Sequence, residues 1–491
     1  MLFNSLSYLV FFPAVFLLYW WAPQKFRVPL LIVASYLFYM SWKPIYGLLL
    51  FGLTAFNFII GRKLSKVVAR NLPTRSRNLL VLGVAVNLLV LGYFKYALFS
   101  CDILGKMTAV FGLNLTPAAL NIVLPLGISF FVFEFIHYLA DVYKGGEPIR
   151  SFAKFNLFAS FFPTQIAGPI KRYEDFAPQI DQPKRFDLAT FDEGVALITH
   201  GLFKKVILAD TLSIVSQTVF PHPEYLTNFD CWLGVYAFAF QIYYDFSGYT
   251  DIARGSAQLL GYKIPINFNA PYMAQSVTDF WHRWHISLST WLRDYLFIPM
   301  GGSRGGLTAT CRNLLVTMIL GGLWHGAAWH FVIWGAYQGV LLLAHRIWCL
   351  VAAKSESLMQ IRSSVIYKII ATVCSFHLVC LGWVLFRSED MRLANLVLRK
   401  VLFLEALDRQ TSYFALSLPT LHSHIIFQFI VPVLIAMPVL HYLISKPKWT
   451  ENLLPSMKRQ PIFGAVYLAV LICLLLVFSP ETTPKFIYFQ F

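Results

Sequence analysis

Charge is what this chain has least of. Only 13% of its 491 residues are Asp, Glu, Lys or Arg, against about 25% in ordinary soluble domains. Acid is scarcer than base, with 24 Asp and Glu against 40 Lys and Arg. Seven Cys, at 101, 231, 311, 349, 374, 380 and 473, form no CxxC and no Cys/His zinc spacing. Most fall inside apolar runs, where Cys behaves as a small hydrophobe, so neither a disulfide framework nor a cysteine nucleophile is expected. The Gly301-Gly302-Ser303-Arg304-Gly305 stretch lacks the Gly-Lys-Ser/Thr ending of a phosphate-binding loop. The N-terminus lacks a basic n-region and a small-residue cleavage site, so Leu2–Trp21 is expected as a retained span rather than a signal peptide. Neither an internal repeat of solenoid period nor a low-complexity linker interrupts the chain.

What fills the sequence instead is apolar. Hydrophobic residues make up 57% and aromatics 17%, with 45 Phe, and the mean hydropathy is +0.61. A soluble core does not need this much apolar surface, so the expected solvent is lipid. The net charge of +16 lies in short clusters between apolar runs. That is how Lys and Arg mark cytoplasmic loops, and it argues against nucleic acid as a partner.

A span needs about 20 mostly apolar residues. Candidates are Leu2–Trp21, Val28–Trp42, Pro44–Ile60, Leu79–Phe94, Ala118–Ala140 and Val206–Phe220, then Cys231–Tyr249, Leu314–Leu343, Ile370–Phe386, Ile425–Ile444 and Ile462–Ser479. The expectation is an all-α polytopic membrane protein of about 11 spanning helices. Arg62–Arg77 carries six basic residues and no acid, so it is placed in the cytoplasm, which puts the N-terminus outside. Asp141–Lys154 is then expected inside and Pro221–Asp230, without Lys or Arg, outside; Lys446–Arg459, with four basic residues, is expected inside by its charge.

Two stretches break the pattern. Phe155–Lys171 is apolar but interrupted by Pro163, Gly168 and Pro169, and the residues from Lys263 to Arg312 are too polar to span yet dense in Trp, Tyr and Phe. Irregular backbone at membrane depth survives only where protein buries it or it lines a water-filled space. Both stretches are therefore read as re-entrant segments around a central cavity or tunnel, within a single membrane domain, 1–491.

Polar residues in an apolar span face the bundle interior or a cavity. Leu314–Leu343 holds His325 and His330 but no Asp, Glu, Lys or Arg. An imidazole titrates near neutrality and suits a general base; a His hydrogen-bonding across helices fits the pattern equally well. In Asp279–Arg293 a continuous helix would put Trp281, Trp284, Leu288, Trp291 and Tyr295 on one stripe. His282, His285, Ser289 and Arg293 would share the neighbouring one. Asp279, His282 and His285 imitate metal ligands, but no acid-rich segment completes a set, and no metal is expected. Lys171, Arg172, Lys204, Lys205, Arg293, Arg304 and Arg312 would suit a phosphate-bearing donor, or serve as cytoplasmic anchors. Glu134 and His137 lie one turn apart and offer a buried pair.

The ordered motifs resemble the membrane-bound O-acyltransferase superfamily, in its bacterial alginate O-acetylase-like branch. They are Leu124–Phe130 with Asp141-Val142-Tyr143, Phe161-Phe162-Pro163 with Ala167-Gly168-Pro169-Ile170, and Gly201–Lys205. Tyr244–Ala253, Asn267-Phe268 with Pro271-Tyr272, Asp279–Gly302 and Gly321–Gly326 follow. Together they occupy roughly 120–340, with weaker likeness at Leu2–Ser5 and Gly382–Arg387. His282 departs from the pattern, standing where relatives often carry Arg.

The resemblance implies an O-acyltransferase, and more narrowly an O-acetyltransferase, in a bacterial cytoplasmic (inner) membrane, with no bound cofactor and acetyl-CoA as donor. It implies that His325 and His285 are catalytic. Arg293, Trp324, Asp279, Ser289, His282, Lys204 and Lys205 become the substrate and donor candidates. Acetyl would pass to or across the membrane to an extracytoplasmic acetyltransferase partner that decorates an exported polysaccharide. His325 would act as base toward a hydroxyl or be acylated itself. The rival within the superfamily is D-alanyl transfer from a carrier-protein thioester to a cell-wall polymer.

Overall fold

The computed structural model describes residues 1, 3, 5–111, 122–404, 434, 436–439 and 441–442. The expected spans Ile425–Ile444 and Ile462–Ser479, apart from residues 434, 436–439 and 441–442 of the first, lie outside these residues, as do the Lys446–Arg459 loop and Cys473. Among the described residues all regular structure is helical, and the chain is an all-α polytopic membrane protein. By Cα proximity it divides into two compact units, Met1–His200 with Tyr249–Ile266, and Gly201–Gly248 with Asn267–Phe491.

The first unit holds α1 (Leu6–Trp21), α2 (Gln24–Met40), α3 (Ile45–Ala69), α4 (Pro73–Val110), α5 (Ile128–Tyr143), α6 (Phe152–Ser160), α7 (Phe162–Gln165), α8 (Tyr173–Asp181) and most of α9 (Leu188–Leu202). Small and polar residues join its helices, as expected where lipid gives apolar faces no reason to associate. A Cβ at Gly61 of α3 would lie 2.5 Å from the Tyr138 ring of α5, and one at Gly83 of α4 2.5 Å from Leu139. Asn57 and Asn87 exchange amide hydrogen bonds of 3.1 and 2.7 Å between α3 and α4, each worth about 0.6–2 kcal/mol in a membrane bundle. The interrupted stretch at 155–171 is buried throughout, in α6, α7 and irregular backbone. Protein covers the chain where it leaves helical geometry, as the hydrogen-bond argument requires.

The second unit contains a π-helical stretch Phe203–Ala209, α10 (Asp210–Val219), and most of α11 (Asn228–Leu259). Then come α12 (Val277–Arg283), α13 (Ile286–Leu292), a second π-helical stretch Arg293–Phe297, α14 (Gly306–His325), α15 (Trp329–Ala352), α16 (Glu356–Ser363), α17 (Val365–Arg387) and α18 (Met391–Val401). Among the described residues five helices, α3, α4, α14, α15 and α17, are long and apolar enough to cross a membrane on their own composition. Others expected as spans are shorter or carry buried polar groups: α11 buries Gln241, Asp245 and Ser247, which neighbouring protein rather than lipid must accommodate.

Two sequence expectations change here. The apolar run Leu314–Leu343 is not one span. It is a hairpin of α14 and α15, turning through Gly326-Ala327-Ala328 in extended backbone. The two backbones touch: a Cβ at Gly322 would run into the Phe331 carbonyl, and one at Gly335 into the Met318 carbonyl. Nor is Asp279–Arg293 one helix. It breaks at Trp284-His285, where His285 takes left-handed φ 41° and ψ 55°, and the break resets the phase of both stripes.

Candidate active site

His325 is the last residue of α14, at the mouth of the hairpin turn, and is buried. Three aromatic rings box its imidazole at steep angles. Trp324 lies 4.9 Å away between centroids at 77°, Trp334 of α15 5.2 Å at 90°, and Phe386 of α17 5.1 Å at 78°. Such edge contacts follow the ring quadrupoles and leave little room for bulk water. At the end of α14 the imidazole meets the negative pole of the helix. Positive charge that develops on the ring as it takes a proton is therefore met by the last carbonyls.

His285 is fully buried and also meets Trp324, with ring centroids 6.2 Å apart. Phe246 of α11 covers it edge-on at 4.7 Å. Burial pushes the His285 imidazole down to about 3, against a hydrogen bond with its own backbone that raises it, so the ring is held neutral, with a proton on one nitrogen and a lone pair on the other. Left-handed backbone at a residue other than Gly costs of order 1–2 kcal/mol. The residue keeps it because backbone on both sides is held: Asn269 N–H donates to Arg283 O at 3.0 Å, and Ile286 N–H to Asn267 O at 2.9 Å.

The structure thus brings His325, Trp324 and His285 together, and sets the other candidates elsewhere. His282 is exposed. Asp279 receives Arg283 Nε at 2.8 Å and Gln275 N–H at 3.2 Å, so its carboxylate holds the ends of α12 in place. Ser289 donates to Trp284 O at 3.0 Å across the break. Arg293 is exposed beside Asp294 and opens the second π-helical stretch; Arg304 and Arg312 are exposed too. Lys204 is half-buried in the first π-helical stretch. Inserted turns of this kind recur at functional sites.

Two lysines have other work. Lys205 is buried between carboxylates, with Nζ 2.6 Å from Asp210 and 2.8 Å from Asp245. Lys171, in the first unit, is buried with Nζ 2.9 and 2.8 Å from the two oxygens of Glu134. Neither ammonium is left for a donor phosphate, and Glu134 pairs with Lys171 rather than His137. Gly301–Gly305 also spells Gly-x-Ser-x-Gly, but a nucleophile elbow needs a strand before the serine. Here residues 298–305 are turns and Ser303 is exposed. Among the described residues no three His, Cys, Asp or Glu gather as metal ligands.

Sequence reading alone missed Trp334, Phe386, Asn267 and the two acids on Lys205. The acids had a signal: Asp210 and Asp245 are ionisable groups within apolar runs and call for a buried partner. The rings had none, because nothing in a single sequence says which of 13 Trp and 45 Phe will surround one imidazole.

The sequence model of the membrane-bound O-acyltransferase family matches residues 6–386. The chain is 43% identical over 398 residues to a protein named probable alginate O-acetylase AlgI of Pseudomonas syringae pv. tomato, covering 80% of this chain and 74% of that one. It is 34% identical over 433 residues to the peptidoglycan O-acetyltransferase of Helicobacter pylori, covering 81% and 79%. Against the teichoic acid D-alanyltransferase of Bacillus subtilis the identity is 30% over 287 residues, covering 55% and 70%.

Proposed function

Because this chain belongs to the membrane-bound O-acyltransferase family, we propose that it takes acetyl from a cytoplasmic acetyl-CoA thioester and delivers it to or across the membrane for O-acetylation of an exported polysaccharide. Its class is plain: it is a multi-pass membrane O-acyltransferase, similar to named O-acetylases over four-fifths of its length. The donor, the extracytoplasmic acetyltransferase partner and the cytoplasmic (inner) membrane belong to the proposal. One functional domain, 1–491, is part of it too, supported by a family match that runs through both compact units.

The observation that carries the mechanism is the boxed imidazole of His325 at the negative end of α14, with neutral His285 also against Trp324. His325 takes the proton from the acceptor hydroxyl, whose oxygen attacks the thioester carbonyl. The tetrahedral intermediate collapses, the C–S bond breaks, and the thiolate leaves with the proton from His325. The products are an ester and a free thiol. His285 donates its N–H to the reacting groups, the role a preorganised donor plays for a developing oxyanion. Arg293, Lys204 and His282 remain as donor contacts, Trp324 lines the site, and Ser289 and Asp279 support the helices. Lys205 drops out of the donor set.

A positioned base contributes about 10²–10⁴-fold. Purified His325→Ala, assayed for thiol release from acetyl-CoA, is expected to lose at least about 10²-fold in kcat; retention within a few-fold sinks the assignment. The D-alanyl reading rests on a shorter match at lower identity. Thiol release from an acyl-carrier protein, with none from acetyl-CoA, would establish it instead.

A further inference from the structure

We infer that Asn267 is a positioning residue for the reaction: it caps α13 from outside the helix, and so lets His285 of the active site stand at the cap position. This rests on the reading of His285 given above. A helix leaves its first N–H groups without partners, and the N-cap side chain ordinarily supplies the acceptor. His285 is the N-cap of α13, and its side chain makes no capping bond. Asn267 does the capping from 18 positions upstream. Its main-chain oxygen accepts from Ile286 N–H at 2.9 Å, and its side-chain Oδ1 accepts from Ser287 N–H at 3.2 Å and from Ser287 Oγ at 2.6 Å.

Asn267 is fully buried, as are His285 and Trp284. Its neighbour Phe268 wedges against Trp284 and Phe246, at 5.0 Å to each ring, and Phe246 is the ring that covers His285. With Asn269 bonded to Arg283, residues 267–269 hold the backbone on both sides of His285 in sequence. A Ser, Thr, Asn or Asp at 285 would cap the helix directly and relax the backbone, but would leave no imidazole next to Trp324. The clamp is what lets a poor capping residue occupy a left-handed cap.

The experiment compares purified full-length Asn267→Ala, Asn267→Asp, Ser287→Ala and His285→Ala for kcat, KM for acetyl-CoA and unfolding midpoint in detergent. A misplacement of about 1 Å can cost about 10²-fold, so Asn267→Ala is expected to lose about that in kcat with KM within about 3-fold. Asn267→Asp keeps the acceptor oxygen and replaces Nδ2, which makes no hydrogen bond, by a carboxyl oxygen whose charge this buried place disfavours, so it should recover part of the loss. Ser287→Ala keeps the main-chain bond and should lose less than Asn267→Ala, so it reads out the clamp even if Asn267→Ala does not fold. Full kcat in both Ser287→Ala and Asn267→Ala, with His285→Ala impaired, overturns the proposal. So does a loss in Asn267→Ala that is accounted for by a fallen unfolding midpoint and not recovered in Asn267→Asp. If His285→Ala itself keeps wild-type kcat, the reading of His285 has failed instead, and the two failures are told apart.

Discussion

At the scale of single residues, the two histidines differ in what made them visible. His325 stands out in sequence as an imidazole in a run without any other charge, and the structure adds why the place suits a base: a helix end and three rings. From the residues alone His285 is visible only as a member of a polar stripe on a continuous helix, and that helix does not exist; the family resemblance is what marks it as catalytic. It reaches the site because the backbone turns left-handed, a property of three-dimensional bracketing by residues 267–269 that no local pattern encodes. Its burial has a consequence for stability. With a pKa of about 3 in place of 6.5, folded His285 stays neutral while the unfolded chain binds a proton below pH 6.5. Stability therefore rises with pH across that window and is lost as pH falls. Acidifying from pH 7.5 to 5.5 should cost about 1 kcal/mol through this group alone. His285→Asn, whose side chain tolerates left-handed backbone, should show a correspondingly smaller fall in unfolding midpoint over the same range. An equal fall in both proteins would contradict the assignment.

At the scale of elements, composition located helices better than it located their ends. Leu314–Leu343 reads as a single span because Gly326-Ala327-Ala328 is apolar and small, so the hydropathy average passes straight over the turn. The glycines that zip α14 to α15 carry no mark of their role in the sequence, and their pairing, Gly322 against Phe331 and Gly335 against Met318, appears only in the fold. Lys205 makes the same point about charge. From sequence it is one more base near a cytoplasmic boundary, yet it ties the start of α10 to α11 through Asp210 and Asp245. A Cβ at Gly248, three residues on from Asp245, would press 2.6 Å from the Gly201 carbonyl, so α11 also meets the last turn of α9 closely there. Removing one member of a buried ion cluster typically costs about 3–5 kcal/mol, because the remaining charges stay buried without compensation. Lys205→Met is accordingly expected to lower the unfolding midpoint sharply. The double change Asp210→Asn with Lys205→Met should recover part of the loss, and KM for acetyl-CoA should stay unaltered in whatever protein folds. A raised KM in a stably folded Lys205→Met would return Lys205 to the donor set.

At the scale of the whole molecule, the all-α membrane architecture was legible from charge scarcity and apolar runs, because lipid permits so few ways of satisfying a backbone. The number of crossings was less so. Alternation from an external N-terminus places Arg62–Arg77 inside, Pro221–Asp230 outside and the segment before α14 inside. If residues 314–343 crossed once, the connection at 353–355 would be external. With α14 and α15 each crossing, that connection returns to the cytoplasm, where Lys354 and Arg362 agree with the preference of basic residues for that side. The two topologies differ by one measurable position. In a variant lacking native cysteines, Ser355→Cys should react with a membrane-impermeant maleimide in inside-out vesicles and be protected in right-side-out ones. His222→Cys, in the exposed external loop, should show the opposite pattern and serve as the reference. Labelling of Ser355→Cys from the outside would mean that the alternation fails ahead of α14, so that the hairpin starts and ends outside. The turn that carries His325 would then point toward the cytoplasm, and the side from which the acceptor hydroxyl reaches it would have to be reassigned.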